Sequence, residues 1–284
     1  MADIAERPAQ RAARASRQAR IGRAYARRGA QLWPPVVVFF LLIGLWYLVA
    51  WYYDRVQGLA FLVPYPHLVI TKGVADPFFA PQLLADLGNS TQVALTGLAF
   101  AIVIGIGWAT LMSLAKWVER SLYPYAVILQ CIPILALVPL IGALFGYEFL
   151  SRVIVTTMIS LFPMVSNTLF GLQSADRAQR ELFQLQGASR LTTLRKLQFP
   201  AAMPSIFLGL RNAAGLSVIG AIVGDQFFQR GTPGLGVLIQ VATSRVNGPG
   251  TFAAIITASL LGVAVFLFFG WLARAVVGRW YDFG

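Results

Sequence analysis

The chain has 284 residues, of which 57% are hydrophobic and 12% are charged, and its formal net charge is +12. Soluble domains carry about 25% charged residues, so this composition excludes an ordinary soluble domain and indicates a membrane protein. A bilayer core about 30 Å thick is crossed by a helix of roughly 20 mostly apolar residues. Six windows meet that requirement and predict an all-α membrane protein with six transmembrane helices: Pro34–Tyr53, Asn89–Ala115, Leu122–Phe145, Phe149–Leu172, Ala201–Phe227 and Phe252–Ala273.

Residues 1–33 form a basic tail with eight arginines before the first predicted span. This composition is typical of a disordered or surface-bound arm held near anionic lipid. A transit peptide and a specific regulatory arm have similar compositions, and both stay open. No cleavable signal peptide is evident, because the first span is about 20 residues long and follows a polar segment. Residues 34–284 are expected to form a single transmembrane domain.

Charge placement orients the predicted bundle. With six spans, both termini and the loops after the second and fourth spans lie on one side, which holds 17 of the 23 Lys and Arg residues. Basic residues accumulate on the cytoplasmic side, so both termini are predicted to be cytoplasmic. The net charge is then a topology signal, and no nucleic-acid partner is needed to explain it. The opposite side is assigned only Arg55, Lys72, Arg152, Arg230 and Arg245.

Prolines and glycines mark the segments between and within the spans. Residues 54–88 contain four prolines and are expected to form an external loop without a long helix. Pro133 and Pro139 interrupt the third span and are expected to kink it. Residues 231–250 are bounded by Gly and Pro turns, and their interior is expected to form a short external helix or a re-entrant piece.

The longest predicted cytoplasmic loop, residues 173–200, holds a short amphipathic segment. Leu191, Leu194 and Leu197 recur at three-residue spacing, which places an apolar stripe on one helix face. Gly187 interrupts a helical run and permits a turn.

Two further features of this loop concern its end and its surface. Pro200 is predicted to end one helix just before the next span begins. Leu182, Phe183 and Leu185 form an apolar patch beside Glu181, and such a patch in a charged loop often marks an interaction site. The residues alone leave two readings open: the loop docks a partner, or it lies on the membrane surface beneath the bundle.

Ionisable and polar residues within the spans are candidates for a transport pathway, because charges in a bilayer are costly and often functional. Arg211 and Asp225 lie about 21 Å apart along an ideal helix and are too distant to pair within it. Arg211 is expected to snorkel, to contact carbonyls or to meet substrate, and Asp225 to act as a gate, a helix-end contact or a substrate contact. Further pathway candidates, which could also merely shape or bridge helices, are Gln130, Pro133, Asn167 and Ser217. The lone Cys131 and His67 predict neither a disulfide framework nor a metal site.

The order of Glu181, Gly187 and Leu197-Gln198-Phe199-Pro200 resembles the EAA loop of binding-protein-dependent ABC importer permeases. That motif reads approximately E-A-A, three residues, G, nine residues, I-x-L-P. Leu182 and Phe183 stand where two alanines are usual, and Leu197 and Phe199 are conservative replacements. Segments over roughly residues 60–270 are also similar to one subfamily, which serves sulfonate, taurine, nitrate and thiamine- or riboflavin-precursor uptake.

This resemblance implies a type I importer permease fold in which the loop forms a coupling helix docked on a separate ATP-binding subunit. The docking residues it implies are Glu181, Leu182, Phe183, Gly187, Ala188, Ser189, Arg190 and Pro200. It further implies two ATPase copies that bind ATP and Mg²⁺, a second permease subunit forming a homodimer, and an extracytoplasmic substrate-binding protein. The location implied is a bacterial inner or plasma membrane.

Other classes of function fit the sequence less well. The chain contains no G-x-x-x-x-G-K-[ST] motif, so it is expected to bind no nucleotide itself and not to be an enzyme. A membrane-embedded enzyme would need a nucleophile or metal cluster, and the sequence offers none. The alternative is an ion-coupled secondary transporter, for which Asp225 is the only intramembrane acid and has no obvious partner.

Overall fold

A computed structural model describes residues 33–278, in which every regular element is a helix. In that part of the chain, five helices are long and apolar enough to cross a membrane, or six if one bent pair counts as a single span. The predicted all-α membrane fold is therefore confirmed. Nearly all of the predicted basic tail, residues 1–32, lies outside the described residues, as do residues 279–284.

The chain divides into two compact units, with the boundary in the sequence between His67 and Leu68. In the described part of the first unit, α1 spans Trp33–Arg55. The loop that follows folds back on this helix, because the Trp46 indole N–H donates to the Pro64 carbonyl at 3.1 Å. The Tyr65 hydroxyl likewise donates to Asp54 at 3.0 Å.

The helix that contains the second predicted span is longer than the sequence predicts. A short α2 (Pro66–Val69) and a π-helical turn (Ile70–Val74) lead into α3, which runs from Phe79 to Leu114. The prediction of a loop up to residue 88 is wrong over its last ten residues. Pro81 lies in the first turn of α3, where a missing backbone N–H breaks no hydrogen bond. Asp76 supports this start by accepting from the backbone N–H groups of Phe78 and Phe79 at 2.8 and 2.9 Å.

The third predicted span is divided by a sharp bend. Its two parts are α4 (Lys116–Cys131) and α5 (Ile134–Phe145), whose axes differ by 97°. Ile132 adopts an extended conformation immediately before Pro133, as steric contact with a proline ring favours. Pro133 therefore marks a break larger than the expected kink, whereas Pro139 lies inside α5 and does not end it.

The next region contains the predicted loop and the fifth span. α6 covers Phe149–Gln173, α7 covers Arg177–Leu185 and α8 covers Arg190–Thr193. A π-helical turn (Leu194–Gln198) joins α8 to α9 (Phe199–Phe227), so that Arg190–Phe227 forms one helical run. The predicted helix end at Pro200 is wrong. Proline has no backbone N–H to donate, and the wider π turn just before it lets the helical run continue without that hydrogen bond.

The remaining elements are α10 (Leu235–Ser244) and α11 (Gly248–Val277), and α10 is a short helix within residues 231–250, where an external helix or a re-entrant piece was expected. The core lies where α6 packs against α9 and α3, with α11 against α9. Small residues permit this close packing. A Cβ on Gly97 would lie 2.4 Å from the Thr156 side chain, and one on Gly220 would lie 2.8 Å from the Thr156 Cα.

Candidate functional site

The segment from α7 to α8 is a pair of short helices with defined ends. Asp176 caps the start of α7 by accepting from the Ala178 N–H at 2.9 Å. At its other end Gly187 has a φ of +66°, a left-handed conformation that favours glycine. The Gly187 N–H donates to Gln184 at 2.9 Å and the Ala188 N–H donates to Phe183 at 3.0 Å. These two bonds form a Schellman motif, which fixes the turn that Gly187 was predicted to permit.

The start of α8 is fixed in the same way. Ser189 caps it by accepting from the Thr192 N–H at 3.2 Å, and the Ser189 carbonyl accepts from the Thr193 N–H at 3.0 Å. Arg190, the first residue of α8, is exposed, and Pro200 lies in the first turn of α9. The predicted coupling residues thus lie on a helix–turn–helix segment whose backbone is held by capping hydrogen bonds.

This segment exposes apolar side chains to solvent. No residue of α7 is buried, and the exposed fraction is 86% for Leu185 and 70% for Leu191. Leu182 is exposed as well, whereas Phe183 is half-buried. Glu181 forms an exposed ion pair of 2.8 Å with Arg177, one turn earlier on α7. A rigid segment that presents exposed leucines beside charges has the properties of a docking surface.

A large cavity lies within the second unit and has a volume of about 1130 Å³. Residues of α4, α6, α9, α10 and α11 line it, and most of them are apolar. Among the described residues that form its wall, no side chain is ionisable. Four side-chain amides supply hydrogen-bonding groups: Gln130, Asn167, Asn212 and Gln226. An apolar cavity with a few polar groups is the usual form of a small-molecule site.

The structure places two of the six predicted pathway residues in this wall, namely Gln130 and Asn167. Pro133 lies at the bend that follows α4, three residues beyond Gln130. Ser217 is buried inside the bundle, and its hydroxyl donates to the Ala214 carbonyl at 2.8 Å. Sequence reasoning missed the other two amides, Asn212 and Gln226, although both lie within the predicted fifth span.

Arg211 lies at the edge of the cavity. Its guanidinium carbon is 4.0 Å from the centre of the Phe266 ring, and Phe266 itself lines the wall. This cation–π contact joins α9 to α11 and stabilises a charge within a span. Arg211 therefore has a structural contact of its own, on an aromatic ring instead of the expected carbonyl groups.

Asp225 is fully buried and has the partner that the sequence did not reveal. One of its carboxylate oxygens accepts from Arg152 of α6 at 3.3 Å, and the other accepts from the Ser90 hydroxyl of α3 at 2.5 Å. Ser90 also accepts from the Leu235 N–H, the first of α10, at 2.8 Å. The carboxylate of Asp225 therefore ties together α3, α6, α9 and α10. The structure places it in this network and not in the cavity wall.

Charge counting assigned Arg152 to the side of the membrane opposite both termini, and the structure adds that only 2% of its side chain is exposed. Its guanidinium also donates to three backbone carbonyls in the loop between α9 and α10. The distances are 2.8 Å to Phe228, 2.9 Å to Arg230 and 2.7 Å to Thr232. We call Arg152, Asp225, Ser90 and these three carbonyls the Arg152 network. It fixes the α9–α10 loop and the start of α10.

Asp86 is a second buried acid. The sequence placed it in the external loop, but it lies in α3 with 1% of its surface exposed.

The apolar helices define a multi-pass membrane protein, and the largely apolar cavity with a few amides has the form of a small-molecule site. The chain belongs to the family of binding-protein-dependent transport system inner membrane components, whose sequence model matches residues 77–278. This family is a transport component and not a catalytic enzyme.

Three relatives illustrate the range of this family. The chain is 36% identical over 242 residues to the formylaminopyrimidine transport permease protein ThiX of Halalkalibacterium halodurans, covering 84% of this chain and 93% of that protein. It is 32% identical to the riboflavin transport system permease protein RibX of Chloroflexus aurantiacus, covering 78% of this chain and 81% of that protein. The nitrate import permease protein NrtB of Leptolyngbya laminosa is 27% identical, covering 86% and 87%. The predicted resemblance to ABC importer permeases is confirmed.

Proposed function

We propose that this chain is the membrane subunit of an ATP-driven importer and that residues 173–200 couple it to a separate ATP-binding subunit. The observation that carries the proposal is the exposure of Leu182, Leu185 and Leu191 on a segment whose backbone is fixed by two caps and a Schellman motif. A rigid docking element can transmit the movement of a partner to the helices that follow it. Since α8 continues through the π turn into α9, movement at the coupling segment would reach the cavity wall directly.

The partner subunits would bind ATP and Mg²⁺, since this sequence has no phosphate-binding loop of the usual kind. Glu181, Leu182, Phe183, Gly187, Ala188, Ser189 and Arg190 would make the contact, and Pro200 would lie at the entrance to α9. Two ATPase copies would serve two copies of this chain, whose basic loops and termini face the cytoplasm of a bacterial cell.

The cavity lined by α6, α9 and α11 would form one half of the translocation pathway, completed by the second copy of the chain. Gln130, Asn167, Asn212 and Gln226 would supply neutral hydrogen bonds along it. A soluble binding protein would deliver the substrate at the opposite face of the membrane.

The substrate proposed is a small organic anion or a vitamin-precursor heterocycle. The relatives at 36% and 32% identity are named for formylaminopyrimidine and riboflavin transport. Uncharged amides can both donate and accept hydrogen bonds, which suits the ring nitrogens and carbonyls of such heterocycles.

The alternative of an ion-coupled secondary transporter has less support. The Asp225 carboxylate already accepts from Arg152 and Ser90, so it is engaged in a structural network. Asp86 provides a second buried carboxyl group but has no place in the cavity wall.

The test is co-purification. The full chain, tagged and solubilised in a mild detergent, is expected to recover an ATP-binding subunit encoded in the same cell. Recovery of the assembled chain without any nucleotide-binding protein would contradict the proposal.

A further inference from the structure

A second cavity, of about 880 Å³, lies beside the coupling segment and has a different character from the first. The end of α3 and the start of α4 form one wall, and α7, α8 and their flanking residues form the other. Four basic residues and one acidic residue line it: Lys116, Arg120, Arg180, Arg190 and Glu119. We call this cavity the basic cleft.

The cations of the basic cleft are not neutralised by the protein. In the part of the chain that the structure describes, the ion pairs join Asp54 to Arg55, Arg152 to Asp225 and Arg177 to Glu181, so none involves a residue of the cleft. Glu119 is the one carboxylate in the wall, which leaves the lining with a formal excess of three positive charges. Converging like charges are unfavourable unless an anion lies between them.

Arg180 carries the second observation. One of its terminal nitrogens donates to the Gln173 carbonyl, which holds the guanidinium in place. Its Nε is buried and has no hydrogen-bond partner. A buried donor on a charged group costs free energy when it has no acceptor. The cleft wall therefore contains a positioned guanidinium group, one N–H of which has no acceptor in the protein.

The surroundings of the cleft resemble a membrane interface. Leu114, the last residue of α3, is exposed, and Trp117, directly after Lys116, is 73% exposed. Tryptophan is enriched at the level of lipid headgroups, and basic residues there attract anionic lipids.

We propose that the basic cleft binds a phosphate-bearing anion, supplied either as the headgroup of an anionic phospholipid or as free phosphate. Arg120 and Arg180 would donate to the phosphate oxygens with their planar guanidinium groups, and Lys116 would add a point charge. The bound anion would join α4 to α7 and α8, which otherwise face each other across the cleft with like charges. It would thereby brace the coupling segment against the bundle.

The test compares two double variants of the full chain with the wild type in detergent. Arg120→Gln with Arg180→Gln removes two charges from the cleft. Arg195→Gln with Lys196→Gln removes two charges from the neighbouring π-helical turn, where both side chains are exposed and neither lines the cleft. Neither pair includes a residue assigned to docking.

Each protein is titrated with short-chain phosphatidylglycerol, with zwitterionic phosphatidylcholine and with inorganic phosphate, and the bound species are counted by native mass spectrometry. The wild type and the Arg195/Lys196 variant are expected to bind phosphatidylglycerol in preference to phosphatidylcholine. The Arg120/Arg180 variant is expected to lose about tenfold in affinity, equivalent to about 1.4 kcal/mol. Added salt should weaken binding to the wild type, because the contacts are ionic.

The arms of the titration separate the two sources of phosphate. Binding of inorganic phosphate without a preference for phosphatidylglycerol would support the site and assign it to an anion from solution. The proposal would be overturned if neither phosphatidylglycerol nor inorganic phosphate bound the wild type. Equal losses of affinity in the two double variants would also overturn it. Because binding is measured without an ATPase, this result is independent of whether the coupling segment docks one.

Discussion

Arg152 on α6 and Asp225 on α9 form an ion pair of 3.3 Å in which both side chains are buried, 73 residues apart in the sequence. The pair does not stand alone, since Arg152 also holds three loop carbonyls and Asp225 holds Ser90. Through these bonds, two charged side chains that would be costly in a bilayer hold the loop between α9 and α10 in place.

Loss of Arg152 is expected to destabilise the bundle strongly. Arg152→Gln leaves Asp225 buried without its cation, and breaking a buried pair in this way costs about 3–5 kcal/mol. Asp225→Asn is expected to cost less, because an amide oxygen can still accept from Ser90. Thermal denaturation in detergent, followed by intrinsic fluorescence, measures both. The control Arg245→Gln removes an exposed charge and should leave the midpoint unchanged. Equal midpoints for Arg152→Gln and the control would contradict the structural role of the pair.

Gly187 is expected to tolerate asparagine but not proline. Proline fixes φ near −65°, opposite in sign to the +66° observed, and removes the N–H that donates to Gln184. Asparagine adopts the left-handed conformation more readily than other side chains do, at a cost of about 1 kcal/mol. In proteoliposomes containing the assembled transporter, Gly187→Pro should abolish uptake while ATP hydrolysis continues uncoupled. Gly187→Asn should retain uptake. Normal uptake by both variants would show that the turn has no part in coupling.

Glu181→Arg is expected to impair uptake without reducing stability. The Arg177–Glu181 pair is exposed, and an exposed i,i+4 pair contributes only about 0.3–0.5 kcal/mol. A defect would therefore come from charge reversal at the docking surface. Glu181→Gln removes the pair without reversing the charge and should keep most of the activity. A loss of thermal stability in Glu181→Arg that accounts for the whole defect would argue against a docking role.

Filling the cavity is expected to block uptake. Ser259 lies in the cavity wall on α11, so tryptophan in its place would project bulk into a space of about 1130 Å³. Its neighbour Leu260 is 62% exposed and does not line the cavity, so Leu260→Trp is a matched control for size and helix position. Uptake assays on purified, equally stable variants should show a defect for Ser259→Trp alone. Equal activities would place the pathway elsewhere.

Much of the fold is predictable because a bilayer imposes a simple rule on each span by itself. Runs of about 20 apolar residues identify the helices, and the bend at Pro133 follows from the conformation that proline imposes on Ile132. The turn at Gly187 follows in the same way, since both are properties of a few consecutive residues.

The errors concern features that neighbouring residues do not determine. Pro200 does not end a helix, because a π turn upstream accommodates it. Asp86 belongs to α3 because Pro81 falls in the first turn, and composition alone does not distinguish that position from a loop. Arg152 is buried because Asp225 and three carbonyls meet it from other parts of the chain. Counting charges by loop treats each residue alone and therefore reveals neither the burial of Arg152 nor its partners.

The most direct test of the account is to ask what touches Leu185. This residue is 86% exposed on α7, and a photo-crosslinking amino acid in its place would label whatever lies against the coupling segment in cells. The same substitution at Val246, an exposed residue between α10 and α11, serves as the control. A crosslink to an ATP-binding subunit is expected from position 185, and none is expected from position 246. Crosslinks from position 185 only to lipid or to this chain itself would contradict this expectation.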